Sequence, residues 1–374
     1  MSMGIIGKSL KLTYDEERKM NIEKTLDSIA LQISEPEYRA MPELSYSTLS
    51  TYEKTGYDGL DHLFDKKETP SLLLGSLVDT LLTEGEDEFN KKYCVLDVSL
   101  TDGGMDVATQ LLNMGLPYTS FEEIPEYLVS QAAKDAGFWK ADKWDKIRYR
   151  EVLKTGNIEA FYNASLHTEK VIVDSAMYND ALAMVRALRS AISTAQYFAQ
   201  DDPFSPIKRY YQLKFKAVLD GVGYRCMSDL LVVDYENKVI FPCDLKTSGK
   251  TEWNFEGSFE QWQYMIQARL YWRIIRANLN KDPYFKDFKL EDYRFIVVNK
   301  NSLTPLVWEF PYTTVHGTLV DERGNEFRDP FEIGKELRQY LDCRPPVPNG
   351  INLEGINVIN CLKPKVCSDT SIPI

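Results

Sequence analysis

Asp229, Asp244 and Lys246 are the residues whose types and spacing point most directly to chemistry in this chain. The stretch Tyr235-Glu236-Asn237-Lys238 reads as a turn between two apolar strands, Tyr224 to Val233 and Val239 to Leu245. A hairpin centred between Glu236 and Asn237 pairs Asp229 with Asp244, and directly opposed residues share one face of a sheet. Lys246 lies two residues beyond Asp244 and by alternation falls on that face too. Val239, Phe241, Cys243 and Leu245 then point the other way, into a core. Two carboxylates and an ammonium on one patch of sheet make a divalent-metal site with a lysine beside it. Carboxylate oxygens hold Mg²⁺ or Mn²⁺, which neutralises phosphate and lowers the pKa of bound water. A neighbouring lysine orients that water or stabilises developing charge.

Two features bear on this register. A bulge in the turn would shift the pairing by one and flip the faces. Pro242 lacks a ladder donor and is expected at an edge or an irregular stretch. Acid-x-Lys triplets are also cheap: Glu17-Arg18-Lys19, Asp65-Lys66-Lys67, Glu236-Asn237-Lys238 and Asp287-Phe288-Lys289 occur as well. Alone, Asp244-Leu245-Lys246 is an ordinary surface pair. Its apolar strand, the opposed Asp229 and the helix that follows lift it above the others.

The positioning elements can be read in outline. A helix from about Ser258 to Asn278 carries Tyr264, Gln267 and Tyr271 at spacings of three and four, hence on one face, where core packing is the ordinary role. Upstream, an apolar helix from about Ser71 to Leu82 puts Gly75 and Asp79 one turn apart. The glycine permits close backbone approach, and a carboxylate in an apolar run needs a partner or a metal; a cap or an interhelix salt bridge is the plainer alternative. Helical text fills 102–200, best from Tyr178 to Phe198. Strands follow at Lys208 to Leu219, Tyr224 to Val233 and Val239 to Leu245, then the long helix, then strands Tyr293 to Val298 and Leu306 to Phe310. That order predicts an α+β fold with helices packed on the sheet. Residues 1–40 read as a helical extension with an amphipathic stretch from Ile22 to Ile33. Residues 41–320 form the principal domain, with a helical insertion at about 102–175. Residues 321–374 are loop-rich, with one short helix near Phe331 to Leu341.

Taken in order, Gly75-x-x-x-Asp79, Asp229, Asp244-Leu245-Lys246-Thr247 and Gln267-x-x-x-Tyr271 resemble the PD-(D/E)XK nuclease superfamily. The likeness is strongest to the branch of RecB-type domains and phage exonucleases of the exodeoxyribonuclease VIII (RecE) type. Leu44-Ser45-Tyr46-Ser47-Thr48-Leu49-Ser50 and the segment Phe89 to Tyr93 look like the start of that branch. The resemblance covers residues 44–95 and 180–300. It implies a restriction-endonuclease-like core, a mixed central sheet flanked by helices, and metal-dependent hydrolysis of DNA, with an exonuclease on linear duplex ends as the expected activity. It implies that Asp79, Asp229, Asp244 and the carbonyl of Leu245 bind Mg²⁺ or Mn²⁺, that Lys246 assists catalysis, and that Gln267 and Tyr271, with Tyr264 on the same face, contact substrate or brace the site. A ring-like homo-oligomer working with a single-strand annealing recombinase is the implied assembly. Many relatives carry histidine where this chain has Asp79; aspartate also ligates Mg²⁺, so activity is expected to survive with an altered metal preference. Some relatives hold an iron–sulfur cluster. Here Cys361 and Cys367 keep the last spacing of that motif, but Val358 stands at the preceding ligand position and Cys94 and Cys343 would have to complete the set, so no cluster is expected. The alternatives are a RecB-like nuclease for single strands or special structures, and a nuclease-fold protein that binds DNA without turnover.

Composition bounds the rest. The chain has 374 residues, 44% hydrophobic and 27% charged, which excludes global disorder. No run approaches the roughly 18 apolar residues of a membrane span, and no secretory leader is evident, so a cytoplasmic location is expected. Six cysteines are too sparse for a disulfide framework. The net charge of −12 argues against non-specific coating of nucleic acid, though one local basic patch is compatible with it. Lys208 and Arg209, in the acid-free segment Ile207 to Lys216, are candidate duplex contacts. Phe138 to Arg150 mixes aromatics with basic residues and is either a DNA-contacting surface or an amphipathic helix with Trp139 and Trp144 in a core. Thr247 to Thr251 mimics the end of a phosphate loop, but the pattern needs glycine where Asp244 stands.

Overall fold

A computed structural model describes residues 22–64, 69–98 and 101–343. Its centre is a mixed sheet of β3 (Ile207–Leu219), β4 (Val222–Asp234), β5 (Val239–Thr247), β7 (Tyr293–Val298) and β8 (Leu306–Phe310), in that order, with the short β6 (Lys289–Leu290) beside β5. The hairpins β3–β4, β4–β5 and β7–β8 are antiparallel, while β5 runs parallel to β6 and β7. A parallel neighbour requires a crossover. It is supplied by α10 (Phe255–Trp262) and α11 (Tyr264–Lys281), which cover one face of the sheet.

The single long helix expected from Ser258 to Asn278 is in fact two. Gln263 adopts φ +55°, a left-handed conformation that ends α10 and re-aims the chain into α11. The expected extension is also not an amphipathic helix. Leu26–Ile29 forms one 3₁₀ turn, and Leu31 then donates its N–H to the Lys214 carbonyl, so the chain runs beside β3. A helix appears only at α1 (Glu35–Arg39), started by the Ser34–Glu37 capping box. The part of 1–21 in that expectation lies outside the described residues. In the C-terminal segment the predicted short helix is α12 (Pro330–Cys343), longer than the loop-rich text indicated.

Pro242 sits in a central strand, not at an edge. The Ile240 carbonyl accepts from Glu291, so even-numbered residues of β5 present backbone groups to the β6/β7 side. The ladder on that side passes from Ile240 in the β6 pairing to Cys243 in the β7 pairing. Proline's missing donor falls in the gap between them, where nothing is lost.

Two cores sandwich the sheet. One lies under α11, α12 and α2 (Tyr46–Thr55) and holds Leu231, Val233, Ile240, Ile266, Leu270, Ile274 and Phe295. The other lies under α3 (Pro70–Thr83) and α9 (Ser175–Ser190) and holds Leu77, Val78, Leu81, Met184, Leu188, Leu230, Cys243 and Ile296. Between them in sequence, α4 (Glu86–Lys92) leads to β1 (Tyr93–Leu96), which pairs in parallel with β2 (Val171–Asp174). The chain from one strand to the other forms α5 (Asp102–Asn113), α6 (Glu126–Asp135), α7 (Arg148–Leu153) and α8 (Ile158–His167), with a core of their own around Val107, Leu111, Phe121, Val129, Val152 and Tyr162. Phe138, Trp139 and Tyr149 pack against that core, and buried Arg148 donates to the Trp139 carbonyl and pairs with Asp145. Phe138, Trp139 and Tyr149 therefore serve packing, but the segment is a series of turns ahead of α7 rather than one amphipathic helix, and Trp144, beneath the Lys143 ammonium, lies outside that core. The tiny hairpin β9 (Leu319–Val320) and β10 (Glu326–Phe327) precedes α12. Among the described residues no helix is long and apolar enough to cross a membrane.

The chain leaving β5 is held by Glu252, which is fully buried. Its carboxylate accepts from the N–H groups of Asn299 (2.9 Å) and Thr304 (3.1 Å) and from the Ser302 hydroxyl (2.5 Å). Asn299 in turn donates to the Ser248 carbonyl. Glu252→Ala strands these donors in the interior, where each unpaired group costs about 1–3 kcal/mol. Urea unfolding is expected to show a loss of about 3 kcal/mol or more, and a loss within error would mean that the loop is held by other contacts.

Candidate active site

The expected hairpin register is the one observed. Leu230 pairs with Cys243 and Leu231 with Pro242, so the next step brings Asp229 opposite Asp244. There the ladder gives way to a side chain: the Leu245 N–H donates to Asp229 Oδ2 at 3.0 Å. Residue parity turns the Leu245 carbonyl toward the same β4 edge. Leu245, Cys243 and Phe241 point into the α3/α9 core, as alternation requires.

Asp244 is only 1% exposed. Its Oδ2 lies 2.6 Å from Lys246 Nζ, and its Oδ1 accepts from Gln267 Nε2 at 2.6 Å. Gln267 Oε1 accepts from Lys246 Nζ at 3.0 Å, which closes a triangle of carboxylate, ammonium and amide. Lys246 Nζ also rests 4.5 Å from the centroid of the Tyr264 ring, itself stacked on Phe255 and Phe295. The one-face stripe on α11 thus divides. Gln267 and Tyr264 face the site, whereas Tyr271, 8% exposed, lies edge-on to Tyr293 in the core. Lys208 and Arg209 are not brought to the carboxylates. Lys208 donates to the Asp202 carbonyl, and Arg209 clamps the Gln196 carbonyl and Asp201, so both close the loop ahead of β3.

Asp79 arrives from the opposite face. Helix α3 passes the end of β5 at Gly75, where an added Cβ would stand 3.1 Å from Thr247 Oγ1, so a larger residue would need the threonine hydroxyl to give way. One turn on, Asp79 Oδ2 accepts from Gln212 Nε2 at 2.8 Å. Gln212 carried no signal in the sequence. It lies in β3 between the pairs Tyr211–Leu230 and Leu213–Ser228, hence across from Asp229, and has φ +53°. That left-handed residue turns two consecutive side chains to one face: Tyr211 packs on the α3/α9 core and Gln212 meets Asp79, while Tyr210 and Leu213 belong to the other core. Gln212 Oε1 is buried and has no hydrogen-bond partner among the described residues. A non-glycine residue in this conformation costs roughly 1–2 kcal/mol. Gln212→Ala and Gln212→Gly both delete the amide, but only glycine escapes the backbone cost. The glycine variant is expected to be more stable by about 1 kcal/mol in chemical denaturation; equal stabilities would show that the backbone relaxes.

The electrostatics follow from burial and crowding. Desolvation, reinforced by Asp244 and Asp79, holds the Asp229 carboxyl well above the usual range. Burial, opposed by the Gln212 amide and reinforced by Glu84 and Asp244, lifts Asp79 to about 6. Burial would depress Lys246, but Asp244, with Tyr264 and Asp229, keeps it above an ordinary lysine. The carboxylates of Asp79, Asp229 and Asp244 and the Leu245 carbonyl offer only hard oxygen, and burial and mutual repulsion hold the Asp79 and Asp229 carboxyls above the usual range. A divalent cation relieves such crowding, so the residues fit Mg²⁺ or Mn²⁺ by chemistry. Among the described residues, no three ligating side chains close around a single point. Cys94 lies half-buried in β1 and Cys343 ends α12, while Cys361 and Cys367 fall outside the described residues.

No protein-family model and no curated protein sequence matches the chain. Among solved structures it is similar to the "Putative exonuclease" from Eubacterium rectale, with a TM-score of 0.36 and 13% identity over 84% of each chain.

Proposed function

We propose that this chain is a metal-dependent nuclease with a PD-(D/E)XK core of the RecB/exodeoxyribonuclease VIII type, hydrolysing phosphodiester bonds at the ends of linear duplex DNA. The observation that carries this reading is the triangle of Asp244, Lys246 and Gln267 set beside Asp229 on the adjoining strand. Asp79, Asp229, Asp244 and the Leu245 carbonyl would hold the ion. Mg²⁺ or Mn²⁺ there supplies phosphate neutralisation and a water of lowered pKa. Lys246 stays protonated beside Asp244, so its part is that of a fixed cation that stabilises charge developing on the phosphate, not that of a base. Gln267 fixes both partners at once, and Tyr264 carries the ammonium on its ring face. Gln212 orients Asp79. A homo-oligomer acting with a single-strand annealing recombinase is the assembly this reading implies.

The test is digestion of end-labelled linear duplex beside closed circular DNA, with Mg²⁺, with EDTA, and with Asp244→Ala. Loss of the linear substrate only, dependent on metal and abolished by the substitution, is the expected result. Cutting of circles would turn the reading to an endonuclease. No cleavage of either with Mg²⁺ or Mn²⁺ would leave a nuclease-fold DNA-binding protein.

A further inference from the structure

Trp253, in the 3₁₀ turn Glu252–Asn254 just ahead of α10, and Trp262, the last residue of α10, are 56% and 49% exposed. The other aromatic residues of that helix, Phe255 and Phe259, pack on Tyr264 and Phe295 beneath it. Trp253 lines an open cavity of about 520 Å³ together with Lys250, Asn254 and Glu256. Lys250 lies along its wall: a Cβ added to Gly257 would stand 3.1 Å from Lys250 Nζ. At the other end, Lys54 Nζ sits 4.8 Å from the centroid of the Trp262 ring. Each exposed indole is thus accompanied by a lysine.

One station is linked to the candidate active site along the chain and the other through packed rings. Lys250 follows Lys246 by four residues on the chain leaving β5. The Trp262 carbonyl accepts from Tyr46 Oη at 2.6 Å, and the Tyr46 ring meets that of Tyr264, on which Lys246 Nζ rests. A single exposed indole needs no explanation, but two flanking one helix, each with a lysine near it, match the chemistry of one ligand. Bases stack on aromatic faces, and ammonium groups track the phosphates between them. A duplex offers a free base face only at its last pair, so the arrangement fits an unpaired strand. Glu256, the carboxylate of the lining, is exposed, and solvent screens it.

We propose that a single-stranded stretch of nucleic acid lies along α10, with one base stacked on each of Trp253 and Trp262 and the flanking phosphates held by Lys250 and Lys54. The strand then leads to Asp244 and Lys246. This rests on the nuclease reading and adds the substrate feature it grips.

The full chain, with Ca²⁺ in place of Mg²⁺, would be titrated against a fluorescein-labelled oligothymidylate and a blunt-ended duplex by anisotropy. Trp253→Ala and Trp262→Ala are each expected to weaken oligothymidylate binding about tenfold, with unchanged melting temperatures and little change for the duplex. Trp→Phe at either position should restore most of the affinity, because the ring is what matters. Unchanged oligothymidylate affinity in both alanine variants overturns the proposal. So does a dimer-to-monomer shift in sedimentation without a change in that affinity, which would make α10 an interface between copies. If wild-type protein cleaves DNA with Mg²⁺ while the alanine variants bind normally, the stacking surface alone is wrong. If wild-type protein cleaves no nucleic acid, the nuclease reading fails independently of the binding result.

Discussion

Asp229→Asn is expected to abolish turnover and, in the same protein, to raise the melting temperature measured without divalent metal. Both effects come from the position of Asp229 on β4, within the field of Asp244 and Asp79 and away from bulk water. Its carboxyl is held above the ordinary aspartate range, so the native state binds this proton more tightly than the unfolded chain does. Metal-free stability therefore falls as pH rises from the unfolded aspartate value through the raised native one. An asparagine never ionises. Its advantage should be present at pH 7–8, on the order of 2–5 °C, and vanish below about pH 4, where aspartate is protonated in both states. The amide can still accept from the Leu245 N–H. Activity is expected to drop on the order of a thousandfold, and the thermal shift that saturating Mg²⁺ gives the wild type should largely disappear. In the wild type, that shift should itself fade as pH drops through about 6, because protons compete for Asp79. The pair of measurements is scanning fluorimetry with and without Mg²⁺ across pH, and digestion of linear duplex. An Asp229→Asn protein that is both inactive and less stable at pH 7 would assign Asp229 to structure.

Such opposition between stability and chemistry is expected where like charges are assembled for a ligand, and it bears on what the sequence could disclose. The Asp229–Asp244 pairing was legible because it depends on one turn and strict alternation, and the Glu236–Asn237 turn carries no bulge. The proline in β5 misled, because its tolerance depends on where two separate partners, β6 and β7, end and begin, which no local pattern encodes. Gln263 and Gln212 were invisible for a related reason. Both adopt left-handed backbone without being glycine or asparagine, so packing overrides propensity at the two points that aim α11 and Asp79. Spacing put Tyr264, Gln267 and Tyr271 on one face but could not divide them. Tyr264 and Gln267 lie near the end of α11 that meets Lys246, whereas one turn further in Tyr271 is already beneath the sheet. Only charge distinguishes Lys208 and Arg209 in the sequence, and the Asp202 and Gln196 carbonyls of the loop ahead of β3 hold them.

Lys246→Met should be the most destabilising single change at the site when metal is absent, and adding Mg²⁺ should reverse most of that loss without restoring cleavage. Lys246 is 17% exposed and Asp244 1%, so the substitution leaves a carboxylate in the interior facing a thioether. Breaking a buried pair from one side costs about 3–5 kcal/mol. Gln267 cannot compensate: its Nε2 already donates to Asp244, and its Oε1 loses its own donor. A divalent cation can neutralise Asp244 in place of the ammonium, and this recovers stability. Cleavage should remain down by on the order of a hundredfold or more, because the cation fixed by Tyr264 and Gln267 is gone. Combining Lys246→Met with Asp244→Asn removes both charges. If the pair is coupled as its geometry indicates, the double variant will be more stable in EDTA than Lys246→Met alone, whereas additive losses would mean that each residue is held by its other neighbours. The metal rescue discriminates further. A Lys246→Met protein that stays destabilised at saturating Mg²⁺ would show that the ion does not reach Asp244, and the carboxylate–lysine triangle would then be a structural pair inside the sheet.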